Sequence, residues 1–317
     1  MLYISDADIE RLVSMREAID AVEKAFREYA YGTAVMPPRS TLMLDSFGGS
    51  ISLMPSYLKG AGVVATKIIS IYPSNPEKGL PTTAAWLVCN DPETGVMEAL
   101  MDATYLTALR TGAVTGVAAR YLAPKDSRVA ALIGCGAQGR TQAIALDAEI
   151  KLESLRIYDL SKERMSRFTT EMEPILVGKI TPCESAEEAV RGADIVVTAT
   201  TSKEPVLRRS WLGDMVHISA IGSFYPDHRE IDTETVREAK VVVDSREAAL
   251  AEAGDLIIPI REGAIRADHI YAELGDIIIG KKRGRTEKDR LTIFKSVGLA
   301  IQDSAIASLV IKKWREV

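Results

Sequence analysis

The strongest constraint on this chain is a glycine-rich turn near its middle. Five apolar residues, Val129-Ala130-Ala131-Leu132-Ile133, run directly into Gly134-Cys135-Gly136-Ala137-Gln138-Gly139, where a helical pattern begins. A GxGxxG triplet alone is a weak signal. This one follows a strand and opens a helix, and Asp159 stands 20 residues beyond Gly139 at the end of the next strand pattern. Together these make a dinucleotide-binding fingerprint. Gly134 permits the tight turn, Gly136 lets the backbone approach a pyrophosphate, and Gly139 lets helix and strand pack closely. The helix start, with Ala137 and Gln138, is where phosphates are stabilised. The bland alternative is a glycine turn with no ligand. Asp159 is placed to accept hydrogen bonds from ribose hydroxyls and to repel a 2′-phosphate, which favours NAD. Lys162 and Arg164 nearby keep NADP open, and a solvated turn residue is the alternative for Asp159.

The pattern around the turn alternates strand and helix. Strands are expected at 129–133, 154–158, 195–199, 216–220 and 240–243, with helices at 138–148, 162–172 and 186–191. That order argues for a parallel, doubly wound sheet. Upstream, 6–31 reads as one amphipathic helix or two short ones. Short strand-like runs at 40–44, 52–55, 62–71 and 83–89, separated by Gly and Pro turns, suggest a mostly antiparallel sheet. Asp102 can cap a long helix reaching about Tyr121, and 292–316 reads as another long helix. The fold class expected is therefore α/β: a Rossmann-type dinucleotide domain plus an α+β domain.

A chain of 317 residues suits about two domains. The net charge of −5 disfavours broad nucleic-acid binding. There is no apolar run of about 20 residues to span a membrane. The start, Met1-Leu2-Tyr3-Ile4-Ser5-Asp6-Ala7-Asp8, does not read as a signal peptide. The three cysteines (Cys89, Cys135, Cys183) are odd in number and widely spaced, which fits a reducing cytoplasm. Neither they nor the three histidines show metal-ligand spacing, so no metal is expected.

Two cations stand in apolar settings. At strand period Lys67 shares a face with Val63, Ala65, Ile69 and Ile71. It reads either as a substrate-contacting, proton-transferring lysine or as one snorkelling at a sheet rim. On the helix from Asp102, Arg110 lies on a stripe with Leu106, Ala113, Val114 and Val117. It wants an anion, either a protein carboxylate or a substrate carboxylate held bidentately. Arg39, after Pro37-Pro38, could add a second carboxylate contact.

A series of motifs in order resembles the ornithine cyclodeaminase/mu-crystallin family nearly end to end. They are Met36-Pro37-Pro38-Arg39, Lys67 followed by Asn75-Pro76-Glu77-Lys78-Gly79-Leu80-Pro81-Thr82, Met101-Asp102-Ala103-Thr104, and Leu109-Arg110-Thr111-Gly112-Ala113. The glycine loop, Ala220-Ile221-Gly222-Ser223-Phe224-Tyr225-Pro226 and Thr292–Ala300 complete the set. The family includes ornithine and lysine cyclodeaminases, archaeal-type alanine dehydrogenases, and ketimine or pyrroline-2-carboxylate reductases. All act at the α-carbon of an amino acid or its imine with a nicotinamide cofactor.

The resemblance implies that Arg39, Lys67 and Arg110 line a substrate pocket, the arginines toward a carboxylate. It implies that Thr111, the Gly134–Gly139 loop, Asp159, Ser223 and the segment from Ser296 to Gly298 touch the cofactor. It implies a homodimer built through the N-terminal sheet, with the C-terminal helix returning to that domain. The domains expected are 1–112 with 293–317 for substrate and dimerisation, and 113–292 for the dinucleotide. Ornithine cyclodeaminases of the family carry an aspartate where this chain has Phe224. The resemblance thus points to reduction of a cyclic ketimine such as Δ1-pyrroline-2-carboxylate by NADH, with NADPH open. Alanine dehydrogenase, ornithine cyclodeaminase and a non-catalytic binding protein follow as alternatives. Were ornithine the substrate, Asp227 or Glu230 would have to replace the missing aspartate as base.

Overall fold

The computed structural model describes residues 1–316. They form two compact units, Met1–Arg110 with the segment from Leu299 onward, and Thr111–Gly298.

In the first unit the two leading helices are separate. Asp6–Leu12 and Met15–Ala30 each open on a capping box, Ser5 with Asp8 and Ser14 with Glu17. Met15–Ala30 buries Ala18, Ile19, Val22, Ala25 and Phe26, a stripe at helical spacing. Its seven-stranded sheet runs Leu2–Ile4, Met97–Asp102, Thr83–Asn90, Val63–Ile71, Gly49–Leu58 and Ala34–Val35, with Ser40–Leu44 also on Gly49–Leu58. All neighbours are antiparallel except Leu2–Ile4 with Met97–Asp102. The inner face is apolar at Met54, Val63, Ala65, Ile69, Leu87 and Met101, and Lys67 is the charged exception. Helix Ala300–Trp314 packs on this sheet, and Met15–Ala30 packs on that helix.

The second unit is built on eight strands, all parallel. Their spatial order is Lys179–Pro182, Ser154–Tyr158, Val129–Ile133, Ile195–Thr198, Val216–Ala220, Leu291–Lys295, Lys240–Val243 and Ile270–Glu273. Chain direction across the sheet reverses between Val129–Ile133 and Ile195–Thr198. In an open α/β sheet, ligands bind beyond the carboxyl ends of strands at such a switch point.

One expectation needs correction. The tail is not helical from Thr292: Leu291–Lys295 is a strand, and the helix begins at Ala300. The strand is buried on both faces between two parallel neighbours, so it shows no alternation in sequence. Gly298, at φ 81°, separates strand from helix in a conformation that glycine favours. The compact units divide after Arg110 and after Gly298, within about six residues of the expected bounds.

Candidate functional site

In the first unit, Lys67, Arg110 and Asp303 meet. Lys67 is wholly buried, which removes the snorkelling alternative. Its Nζ lies 2.9 and 2.8 Å from the two carboxylate oxygens of Asp303. Arg110 Nε donates to Asp303 Oδ1 at 3.1 Å, and Arg110 Nη1 donates to Gln302 Oε1 at 2.6 Å. Lys67 comes from strand Val63–Ile71, Arg110 from helix Thr104–Leu122, and Gln302 and Asp303 from the first turn of Ala300–Trp314.

Burial first and the Arg110 charge second bring the Lys67 ammonium down to about 7. Asp303 opposes both, and Arg39 adds a smaller lowering, which places Arg39 within electrostatic reach. A lysine so tuned can give or take a proton near neutrality. Buried ion pairs add little net stability against an apolar alternative, so this cluster points to chemistry more than to folding. No motif singles out Asp303 or Gln302 in the sequence. The available signal is three consecutive polar residues, Gln302-Asp303-Ser304, between the apolar Leu299-Ala300-Ile301 and Ala305-Ile306.

In the second unit the glycine loop is built for a diphosphate. Gly134 sits at φ 107°, and a Cβ on it would approach the Ala199 carbonyl oxygen to 2.5 Å. A Cβ on Gly139 would lie 2.2 Å from the Gly134 carbonyl oxygen. At Gly136 a Cβ would meet nothing within 4 Å. Gly136 is also the N-cap of helix Ala137–Glu149, and no side chain caps it. Helix amides without a side-chain cap, beside an open approach at the switch point, fit a dinucleotide pyrophosphate. Gln138 leaves a buried Oε1 without a partner at the same helix start.

Asp159 does more than the fingerprint suggests. Its oxygens accept from Cys135 N and Ser161 N, each at 2.9 Å, tying the glycine loop to the following turn. A carboxylate has lone pairs to spare for ribose hydroxyls beyond these two. Lys162 is paired with Glu184 at 2.9 Å, so one cation that kept NADP open already has an anion. Thr111 is buried. Its neighbour Gly112 allows helix Thr104–Leu122 to approach the backbone of Thr141.

Ser223 and Ser296 are buried, and their hydroxyls serve the protein. Ser223 donates to the His228 carbonyl at 2.6 Å, and Ser296 donates to Asp244 at 2.8 Å. Asp244 also accepts from the amides of Val297 and Gly298, each at 2.8 Å. Any cofactor contact from these segments therefore falls to backbone groups or remaining lone pairs.

Beneath them lies a second buried lysine. Lys295 pairs with Asp255 at 2.9 Å and donates to the Ser223 carbonyl. Glu230 accepts from Thr198 Oγ1, Thr200 N, Thr200 Oγ1 and Gly222 N. Burial raises its carboxyl, as does the Asp255 charge. This network shapes the loop of residues 222–230 at the strand ends. Lys295 lies within the Thr292–Ala300 motif, where nothing marks it as buried, and Asp255 has no motif to announce it.

Phe224 is half-buried and packs against the core of the second unit, its ring 4.6 Å from that of Tyr225. A groove of about 490 Å³ lined by Arg120, Lys125, Arg128 and Lys151 lies at the opposite end of strand Val129–Ile133 from the glycine loop. Arg120 and Arg128 are paired there with Glu149 and Glu153. Among the described residues no three His, Cys, Asp or Glu side chains cluster to hold a metal, and no helix is long and apolar enough to cross a membrane.

A parallel sheet with this loop, in one chain with a unit carrying a tuned lysine and a buried arginine, defines a dinucleotide-binding protein with a buried cationic site. The comparison with known sequences makes it specific: residues 2–317 match the Ornithine cyclodeaminase/mu-crystallin family, and the chain belongs to it. It is similar to the alanine dehydrogenase of Archaeoglobus fulgidus, at 42% identity over 98% of this chain and 94% of that protein. Among solved structures it resembles Thermococcus litoralis Δ1-pyrroline-2-carboxylate reductase in complex with NADH and L-proline. The TM-score is 0.97 and identity 45%, over 100% of this chain and 98% of that one. An archaeal alanine dehydrogenase dimer with bound NAD gives a TM-score of 0.92 at 40% identity, over 100% and 97% of the two chains.

Proposed function

We propose that this protein reduces an α-imino acid to the L-amino acid with NADH, foremost a cyclic ketimine such as Δ1-pyrroline-2-carboxylate. The observation that carries the reading is the buried Lys67–Asp303–Arg110 cluster. NADH, when bound, supplies the hydride. The Gly134–Gly139 loop and Asp159 hold its diphosphate and ribose, with Thr111, Ser223 and the segment from Ser296 to Gly298 beside it.

The chain's own residues do the rest. Arg110, assisted by Arg39, holds the substrate carboxylate. Lys67 in its ammonium form gives a proton to the imine nitrogen and is left as a neutral amine, which its burial favours. Asp303 holds both cations in place. In the reverse direction the neutral amine of Lys67 takes the proton from the amino acid.

Alanine dehydrogenase is the second reading, favoured by the Archaeoglobus relative. Following NADH absorbance with Δ1-pyrroline-2-carboxylate, Δ1-piperideine-2-carboxylate, and pyruvate plus ammonia separates the two. A faster rate with pyruvate and ammonia would make alanine dehydrogenase the main activity.

Phe224 bears on the third alternative. It has no proton to exchange, Glu230 is saturated by four donors, and the Asp227 side chain is 76% exposed. No carboxylate of this loop is thus poised as a base. Negligible conversion of ornithine to proline is expected beside ready imine reduction. Proline and ammonia forming from ornithine at the rate of the best imine would overturn this.

The cofactor preference has its own test. Asp159→Ala should narrow the NADH-over-NADPH ratio of kcat/KM by about tenfold, the worth of hydrogen bonds to a charged group. Affinity for both should fall as well, because Cys135 N and Ser161 N lose their acceptor. A wild-type preference for NADPH would contradict this role for Asp159.

For assembly we propose a homodimer through the outer face of the first unit's sheet. Leu53, Ile68 and Trp86 stand in register on three adjacent strands, and all three are exposed. An apolar row of this kind on a sheet face suits a partner surface. Ile68→Asp should yield monomers in analytical ultracentrifugation, and an unchanged dimer would place the interface elsewhere.

A further inference from the structure

Gln302 makes one hydrogen bond with its oxygen and none with its nitrogen. Oε1 accepts from Arg110 Nη1 at 2.6 Å. A guanidinium only donates, so the amide orientation is forced: oxygen toward Arg110, nitrogen to the other side. The side chain is wholly buried, and Nε2 finds no acceptor among the described residues. Burying an amide donor unpaired is unfavourable, and orienting Arg110 does not require it. A carboxylate at this position would orient Arg110 as well, with no donor left over. A glutamine differs from it in two ways. It offers N–H groups beside the guanidinium, and it adds no negative charge to a cluster in which Asp303 already pairs with Lys67 and Arg110.

We propose that Gln302 is a specificity-determining residue: its Nε2–H donates to the substrate carboxylate beside Arg110, and its neutrality keeps the cluster attractive to that anion. The assignment rests on the imino-acid reading above. Arg110 and Gln302 thereby act as one recognition unit, the amide oxygen holding the guanidinium while the amide nitrogen binds the ligand.

Two variants test it, each read by turnover and by binding. Binding is measured as thermal stabilisation of the full-length protein by L-proline and by L-prolinamide, which lacks the carboxylate. Wild type should prefer the acid. Gln302→Leu keeps the volume and loses the donor, so KM for Δ1-pyrroline-2-carboxylate should rise about tenfold with kcat nearly unchanged. Stabilisation by L-proline should shrink in the same variant. Gln302→Glu keeps the acceptor for Arg110 but turns the donor into an anion, and KM should rise about a hundredfold.

Unchanged KM in both variants, with only the melting temperature lowered, would overturn the proposal and make Gln302 a packing residue. A raised KM in Gln302→Leu with a normal one in Gln302→Glu would also overturn it, since orientation of Arg110 alone would then matter. A wild type that reduces no imine, yet prefers proline to its amide and loses that preference in Gln302→Leu, would uphold Gln302 and defeat the reaction reading. A wild type indifferent to acid and amide would defeat both.

Discussion

Replacing Arg110 by methionine is expected to lower kcat/KM for the imino acid by about two to four orders of magnitude, the effect of leaving a charged group without its partner. The fold should survive, because Asp303 retains Lys67 at 2.8 Å. A second signature follows from the cluster. The Arg110 charge helps to hold the Lys67 ammonium down, and removing it favours the protonated lysine. The pH profile of the variant should therefore shift to higher pH. A variant with normal kinetics and a lowered melting temperature would show that Arg110 serves only as an ion-pair partner within the protein.

Lys67→Met should cost about two to four orders of magnitude in kcat, the range for loss of a positioned acid or base. Substrate carboxylate binding should be less affected, since Arg110 remains. In wild type the sign of the pH dependence is set by which form of Lys67 works. Reduction uses the ammonium, so its rate should fall as pH rises through about 7. Oxidation of the amino acid uses the neutral amine, so its rate should rise over the same interval. A methionine variant that keeps wild-type kcat, or a reduction rate that climbs through neutral pH, would remove Lys67 from proton transfer.

Much of this protein is legible in the order of its residues. The glycine turn carries its own context, because a tight turn, a helix start and a carboxylate at the next strand's end are local demands. Lys67 and Arg110 are conspicuous as lone charges among apolar residues at strand and helix period, which makes them candidates, while the burial that excludes a rim position for Lys67 is seen only in the fold. What the pattern does not show is the partner. Lys67 and Asp303 are 236 positions apart, and no local rule links a strand near the start to a helix near the end.

The same limit accounts for the tail, which reads as helix but opens as a strand. Leu291–Lys295 sits between two parallel strands with both faces buried, Thr292 and Lys295 included, so its residues carry no period to separate strand from helix. Asp244, Asp255, Glu230 and Lys295 are likewise invisible as a set, since hydrogen bonding between distant segments leaves no spacing in the chain. Local backbone chemistry and hydrophobic period are thus written in the sequence itself: the dinucleotide loop, the sheet faces and the two conspicuous cations. Long-range packing alone decides which carboxylate tunes Lys67, where the units divide, and which amide stands beside Arg110, because a buried charge takes its properties from neighbours that only folding supplies.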